Sequence, residues 1–345
     1  VDGRLRGEVK RDPAPVQQQA GQPLITLMTN RDATVRLAAT QAVSKLQIRP
    51  ATQVLGSVLK KDTDPKVRRA ALLSLADLKY ENMGDVIKQA LSDKEKEVRV
   101  AGIDMLGKAT LPAELMASLL SEVINTKSTE EKQAALLTLG KVPVAQSQPV
   151  FEQQLSKLEA GSLSPDIRIE LEEAIDSTGS AALKDRLKGI TAKLDQGNAL
   201  AAYTAAMYGG QSERGRSIFY RNQAAQCIRC HAIDDYGGNA GPRLNDISKR
   251  ITRVQILEAL VNPGARLAPG YGMVTLKLKG GETVSGILQE EKEKYLVVKS
   301  GDAAPVNYEK AQIEKRIDAA SSMPNMGDIL SKKEIRDLVS FLSEL

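Results

Sequence analysis

The chain of 345 residues has no tryptophan, three phenylalanines, two cysteines and a single histidine. So few large rings cannot fill a wide β-sandwich or barrel, and the shortage points to small helices packed through alanine and leucine. No apolar run reaches the roughly eighteen residues that a membrane-spanning helix needs. Charge of one sign is also missing as a block, since 48 basic and 43 acidic residues are interleaved for a net charge of +5. A nucleic-acid interface concentrates lysine and arginine on one face, so nucleic acid is not an expected partner. The length exceeds one ordinary core, and two or three domains are expected. The chain opens on Val-Asp-Gly-Arg with no initiator methionine, which suggests a processed or excised fragment.

The scarce donors are all in one place. Cys227-Ile228-Arg229-Cys230-His231 holds both thiols and the only imidazole. Thiols three positions apart can each add to a vinyl group of one haem, and the adjoining imidazole then ligates the iron. The motif predicts one covalent haem c, with Cys227 and Cys230 as thioether links and His231 as an iron ligand. Three other chemistries use the same letters. A structural zinc site needs four donors, and only Asp234 and Asp235 lie near this pair. A dithiol redox couple calls for a helix start in a βαβ setting, whereas the surroundings here read as helix and loop. A plain disulfide is the third. Bacteria attach haem covalently after export, so a periplasmic or extracellular location is expected, the signal peptide not being present in this chain.

The first two hundred residues repeat. Asp32-Ala-Thr-Val-Arg-Leu-Ala-Ala, Asp64-Pro-Lys-Val-Arg-Arg-Ala-Ala and Lys94-Glu-Lys-Glu-Val-Arg-Val-Ala share one frame through Val35, Val67 and Val98, a period of about 32 residues. Weaker copies begin at Thr129 and Ser164, where Lys132 and Ile167 mark a drifting register. Each copy opens on an N-capping residue and continues at helical spacing, and 53–59, 85–91 and 112–124 supply partner helices. A lone helix pair leaves its apolar face exposed, so the copies must stack. The Asp-x-x-Val-Arg-x-Ala-Ala signature resembles the HEAT-type repeat over roughly residues 15–195, which implies an α-solenoid. In that family the concave surface often binds protein. Arg36, Arg68 and Arg99 are expected to bond neighbouring repeats, and Met83, Met105 and Met116 to fill the core. Residues 1–14 are read as an N-terminal extension and 196–211, with Gly197, Gly209 and Gly210, as a linker.

Residues 212–345 carry a second set of signals. An amphipathic helix is expected over 212–226, with Gly215 and Phe219 four apart, and another over 331–345. Between them lie Gly241-Pro242-Arg243-Leu244, Asn262-Pro263, Gly270-Tyr271 and Ser322-Met323-Pro324. Residues 273–279, the Gly280-Gly281 turn, 283–288 and 295–299 read as a small antiparallel meander inserted at about 271–318. Its role is docking or cover of a haem edge. The layout resembles the class I cytochrome c fold and, in its motif order, the haem-binding module at the C-terminus of large exported bacterial proteins. In that family the module follows HEAT-like repeats, often behind a sugar-dehydrogenase-like β-propeller that is absent from these residues. The resemblance implies that the Pro242 carbonyl accepts a hydrogen bond from His231 and that Met323 is the sixth iron ligand, with Met326 and Met273 as the other methionines of this region.

The expected fold class is therefore mainly α: a solenoid followed by a cytochrome c-like domain with a β insertion. The expected function is electron transfer by a low-spin His231/Met323 haem, not enzymatic turnover, with the solenoid as a scaffold for a redox partner such as a dehydrogenase or another cytochrome. The alternative is a haem peroxidase or ligand sensor with a labile sixth position, although peroxide chemistry wants a distal base and there is no second histidine.

Overall fold

The computed structural model describes residues 12–198, 200–318 and 321–345. Residues 1–11 of the expected extension lie outside the described residues. The chain divides into two compact units, residues 12–161 with 170–188, and residues 162–169 with 189–345. It is mainly helical with a small antiparallel sheet.

The first unit is built from α1 (Ala14–Leu27), α2 (Ala33–Lys45), α3 (Thr52–Lys61), α4 (Pro65–Asp77), α5 (Met83–Leu91), α6 (Lys96–Leu106), α7 (Ala113–Thr126), α8 (Thr129–Leu139) and α9 (Val144–Glu159), with parts of α10 (Arg168–Ser177) and α11 (Ala181–Leu194). Helix starts follow the expected caps. Asp32 accepts from the Thr34 amide at 2.7 Å, Asp64 from the Lys66 amide at 2.8 Å with Pro65 at the first helical position, and Ser128 with Glu131 forms a capping box. Helices α2, α4, α6 and α8 stack in order, each packed on the next, as a helical repeat requires. Val67 and Val98 are fully buried at equivalent positions, and Val35, in the first copy, is half-buried.

Arginines tie the copies together. Arg36 forks onto Asp62 at 2.7 and 2.8 Å, Arg68 onto Asp93 at 2.7 Å through both nitrogens, and Arg99 onto Glu131 at 2.6 and 3.1 Å. The third nitrogen of each guanidinium donates to carbonyls of the loop before its own helix, as Arg68 does to Asp62 at 2.8 Å. Burial pushes the Asp62, Asp93 and Glu131 carboxyls up, but hydrogen bonds from the arginines and nearby donors outweigh it and hold all three below the usual range. The arginines are inter-repeat bonds, as the sequence predicts. Met83 and Met105 are buried among the helices, as expected, whereas Met116, on α7, is half-buried.

The second unit is organised by α12 (Ser212–Arg221) and α16 (Lys332–Leu342), its most extensively packed helix pair. They cross where Gly215 lies against the Asp337 carbonyl, so closely that a methyl group at 215 would overlap that oxygen and stand 2.7 Å from Phe341 Cβ. Phe219, Ile335, Leu338, Val339 and Phe341 form the core at this crossing. Both helices are shorter than expected. Asn222 accepts from the Ala224 and Ala225 amides at 2.9 and 3.0 Å, which turns the chain out of α12, and Ser331 is the cap of α16 rather than part of it.

The expected linker at 196–211 is largely not a linker. Leu200, Ala205 and Ala206 are buried in the same core as Phe219, with a short 3₁₀ stretch over Ala201–Ala206. The glycines that suggested flexibility are sites of close packing: a side chain at Gly209 would strike the backbone of Asp166, and one at Gly210 that of Arg336.

After α12 come α13 (Cys227–Cys230), β1 (Ala232–Ile233), β2 (Tyr236–Gly237), α14 (Ile247–Arg250) and α15 (Arg253–Val261). The inserted sheet contains β3 (Met273–Leu278), β4 (Thr283–Glu291), β5 (Tyr295–Lys299), β6 (Val306–Glu309) and β7 (Ile313–Asp318), antiparallel in the order β6-β5-β4-β3-β7. Val274, Leu276, Leu288, Leu296 and Val298 make its own small core. The expected meander corresponds to β3, β4 and β5. The strands β6 and β7 occupy the two edges and bury almost nothing, so they lack the alternation by which inner strands are recognised.

Candidate functional site

The Cys-x-x-Cys-His segment forms one turn of helix, α13, entered through Gln226 in the left-handed conformation (φ 47°) and closed by a hydrogen bond from the His231 amide to the Cys227 carbonyl at 3.0 Å. One turn puts positions 227 and 230 on the same side. Neither cysteine is in a disulfide. Cys227 is half-buried against the core and Cys230 is exposed. Burial pushes the Cys227 thiol up, the opposite of what a reactive dithiol needs.

His231 is held by its Nδ1, 2.8 Å from the Pro242 carbonyl oxygen. A carbonyl can only accept, so Nδ1 carries the proton, and in the neutral ring Nε2 is left with its lone pair available to a metal. The ring lies flat against Gly241, where an added methyl would come within 2.6 Å of Cε1 and 2.9 Å of Nδ1. Backbone bonds wrap the turn: the Gly238 amide to the Ile228 carbonyl at 2.9 Å, Gly241 to Cys230 at 2.8 Å, and Leu244 to Ala232 at 2.9 Å. At Gly238 any side chain would collide with the Arg229 carbonyl. The strands β1 and β2 form a two-residue ribbon whose Asp234 side chain accepts from Asn245 at 2.6 Å. Gly238 is a site-building residue that the motif reading misses, and Gly241, the first residue of the Gly-Pro-x-Leu motif, builds the site in a way the motif does not state. The trace of Gly238 in the sequence is the Gly237-Gly238 pair ahead of Gly241-Pro242.

Leu244, Leu257, Leu260 and Met326 belong to the unit's main core, and Cys227, Ile228, Ile247, Ile251 and Met323 are partly exposed side chains packed against it. Cys227, Cys230, His231 and Pro242 are thus brought together by local chain, and Met323 joins the same apolar cluster from the opposite end of the unit. Met326 is buried in that core at 3% exposure. Met273 stands on the sheet with 53% exposure and lies outside the cluster. An aromatic series runs from the helix crossing to this ribbon: Phe219 and Tyr220 meet edge to face at 5.0 Å, and Tyr220 lies 6.1 Å from the exposed Tyr236. Among the described residues, no three His, Cys, Asp or Glu side chains gather as a metal-binding group.

Comparison with known proteins bears on the first unit. HEAT repeats are found at residues 52–140, from α3 through α8, by a match to the family model of that description. No curated protein matches the chain. Among solved structures the chain is similar to one in the complex of CpcE and CpcF of phycocyanin lyase from Nostoc sp. PCC7120, at 16% identity and a TM-score of 0.36, covering 66% of this chain and 85% of that one. It is also similar to human deoxyhypusine hydroxylase in complex with glycerol, at 16% identity and a TM-score of 0.24, covering 56% of this chain and 85% of that one. No helix among the described residues is long and apolar enough to cross a membrane.

Proposed function

We propose that the second unit is an electron-transfer domain carrying one haem c, bound through Cys227 and Cys230, with His231 and Met323 as iron ligands. The observation that carries this reading is the Nδ1 bond from His231 to Pro242 beside two unbridged thiols on one turn. That bond fixes the tautomer, leaves the Nε2 lone pair unprotonated and raises the basicity of the ring toward a metal.

The residues present fit such a group. A flat macrocycle needs two thiols on one side of a turn, one imidazole, a thioether, and apolar surface to cover. Ile228, Ile247, Ile251 and Met323 supply partly exposed apolar surface next to the thiols, while Cys227, Cys230 and His231 do not converge, among the described residues, into the donor group that zinc needs. When bound, the haem supplies one-electron chemistry. The chain's part is to hold the imidazole, exclude water with its apolar border, and leave an approach for another protein. Cys230 and the ribbon tip at Tyr236, 69% exposed, mark the accessible side. We further propose that the helical repeats dock a redox partner, a dehydrogenase or a second cytochrome, and that the protein works in the periplasm or outside the cell. In this reading the protein carries electrons and does not itself turn over a substrate.

Acid-acetone extraction of the denatured protein followed by a pyridine haemochrome spectrum tests the proposal. The colour should stay with the polypeptide, its mass should exceed that of the chain by one haem, and Cys227→Ser/Cys230→Ser should abolish both. A colourless chain that binds one equivalent of zinc would overturn it.

A further inference from the structure

We infer that Tyr203 is the positioning residue of the Met323 loop; the inference rests on the reading of His231 and Met323 as the iron ligands. Tyr203 belongs to the 3₁₀ stretch over Ala201–Ala206 that precedes α12. Its ring sits on Gly327. A methyl there would overlap the Tyr203 hydroxyl, stand 2.5 Å from Cζ and 3.0 Å from Asn325 Oδ1. That Asn325 oxygen accepts from the Gly327 amide at 2.8 Å, so the phenol presses on a closed turn two residues beyond Met323.

Beyond Gly327 the loop is held by the turn over Met326–Asp328, which packs against α15 and α16. The Met323 amide donates to Ser321 Oγ at 3.1 Å, and its side chain is only partly buried. Met326 anchors the far end in the core. The stretch that carries Tyr203 is itself fastened at both ends. Asn198 accepts from the Leu200 amide at 2.9 Å and donates to Thr204 at 3.0 Å, and Arg253 donates to the Met207 carbonyl at 2.6 Å while its guanidinium lies 5.3 Å from the Tyr208 ring centre. A pinned segment holding a rigid ring against a glycine fixes one end of a loop whose other end bears the thioether. Loosening that seat should weaken the hold on the iron before it weakens the fold, because Tyr203 lies at the edge of the main core and Met326 stays anchored.

The experiment uses the full-length, haem-loaded protein. Imidazole is titrated against the oxidised form, and displacement of Met323 is followed by loss of the weak iron–thioether band at the red end of the visible spectrum. Thermal unfolding is measured in parallel. Tyr203→Ala and Gly327→Ala should lower the imidazole concentration at half-displacement by about tenfold, whereas Tyr203→Phe, which keeps the ring, should stay within about twofold. Should Tyr203→Ala fail to accumulate, Tyr203→Leu keeps bulk without the ring and should show the same lowering. An unchanged half-displacement in these variants, or a shift matched by Tyr203→Phe, would overturn the role of the ring. Persistence of the band in Met323→Ala would instead show that the ligand reading is wrong, and the inference would fall with it.

Discussion

Arg68 in the repeats and Gly238 in the second unit both secure a loop, by opposite means. Arg68 reaches out with a long side chain, forks onto Asp93 of the next copy and ties back to the Asp62 carbonyl of its own. Gly238 secures the α13 turn by having no side chain, so that its backbone lies on the Arg229 carbonyl. The first device recurs, because each repeat must solve the same joining problem with its neighbour. The second also appears at Gly209, Gly210 and Gly215, but each of these glycines meets a different, non-repeating piece of backbone. A solenoid therefore spreads its dependence over similar bonds, and the second unit concentrates it in a few close approaches around one crossing and one turn.

The largest expected effect comes from breaking one repeat bond. Arg68→Ala leaves the half-buried Asp93 charged without its guanidinium, with the Glu95 amide still donating to it at 2.8 Å, at a cost of about 3 kcal/mol, the lower end for a broken buried pair. Replacing the pair with apolar residues of similar volume, Arg68→Met with Asp93→Leu, should recover most of the loss, since the pair's own desolvation is removed as well. Urea unfolding followed by helical circular dichroism measures both variants. Tyrosine fluorescence separates the units, because Tyr80 is the only one of the eight tyrosines in residues 12–188. If the double substitution is as damaging as the single one, the arginines do more than join repeats.

Gly215→Ala attacks the second unit at its crossing. The added methyl meets backbone, which cannot swing aside, and α12 and α16 must separate at a cost of about 3 kcal/mol. The tyrosine-reported transition should move while the helical signal of the repeats holds. A shift of both together would mean that the units do not unfold independently.

Acid should act with opposite sign on the repeat bonds and on the crossing of α12 and α16, although Glu291 on the sheet, bonded by Lys310 and Arg316, is held low as the repeat carboxyls are. Asp62, Asp93 and Glu131 have carboxyls held below their ordinary range, so their contribution to folding is present above that range and is lost as pH falls through the depressed values. Asp337, on α16, is pushed up by burial, although the Gln211 amide bonded to it at 2.8 Å pulls the other way. Its ionised form is penalised, so it contributes less stability as pH rises through its raised value and more as pH falls. With Asp62, Asp93 and Glu131 depressed in the repeats, and Asp337 opposing Glu291 in the second unit, the repeats should lose more stability on acidification, which a pH series of the two signals would check.

The smallest effect sharpens the same contrast. Asp337→Asn keeps an oxygen for the Gln211 amide and removes the charge, so it should change stability at neutral pH by no more than about 1 kcal/mol and flatten the pH response of the second unit. Asp337→Ala strands that amide and should cost about 1–3 kcal/mol, read from the tyrosine transition. A large loss in Asp337→Asn would show that the charge itself is needed at the crossing.

Local chemistry was legible in the sequence wherever it repeats or is confined to a few neighbours. Asp32 and Asp64 announce helix starts, the recurring Val-Arg frame announces stacked helices, and Cys227, Cys230 and His231 stand together because their roles need one turn of chain. Pro242 could be paired with His231 only through the resemblance that Gly241-Pro242-Arg243-Leu244 carries, and the ring nitrogen does lie 2.8 Å from its carbonyl. Contacts between distant residues were not legible. The packing of 200–207 into the core, the overlap of Gly215 with Asp337 and the seat of Tyr203 on Gly327 each depend on residues more than a hundred positions apart. The edge strands β6 and β7 were invisible for a different reason, since they bury too little to leave a pattern. Side-chain chemistry and short-range periodicity write themselves into the sequence. The place where two remote backbones touch is written only as a glycine, and a glycine by itself does not say what will lie against it.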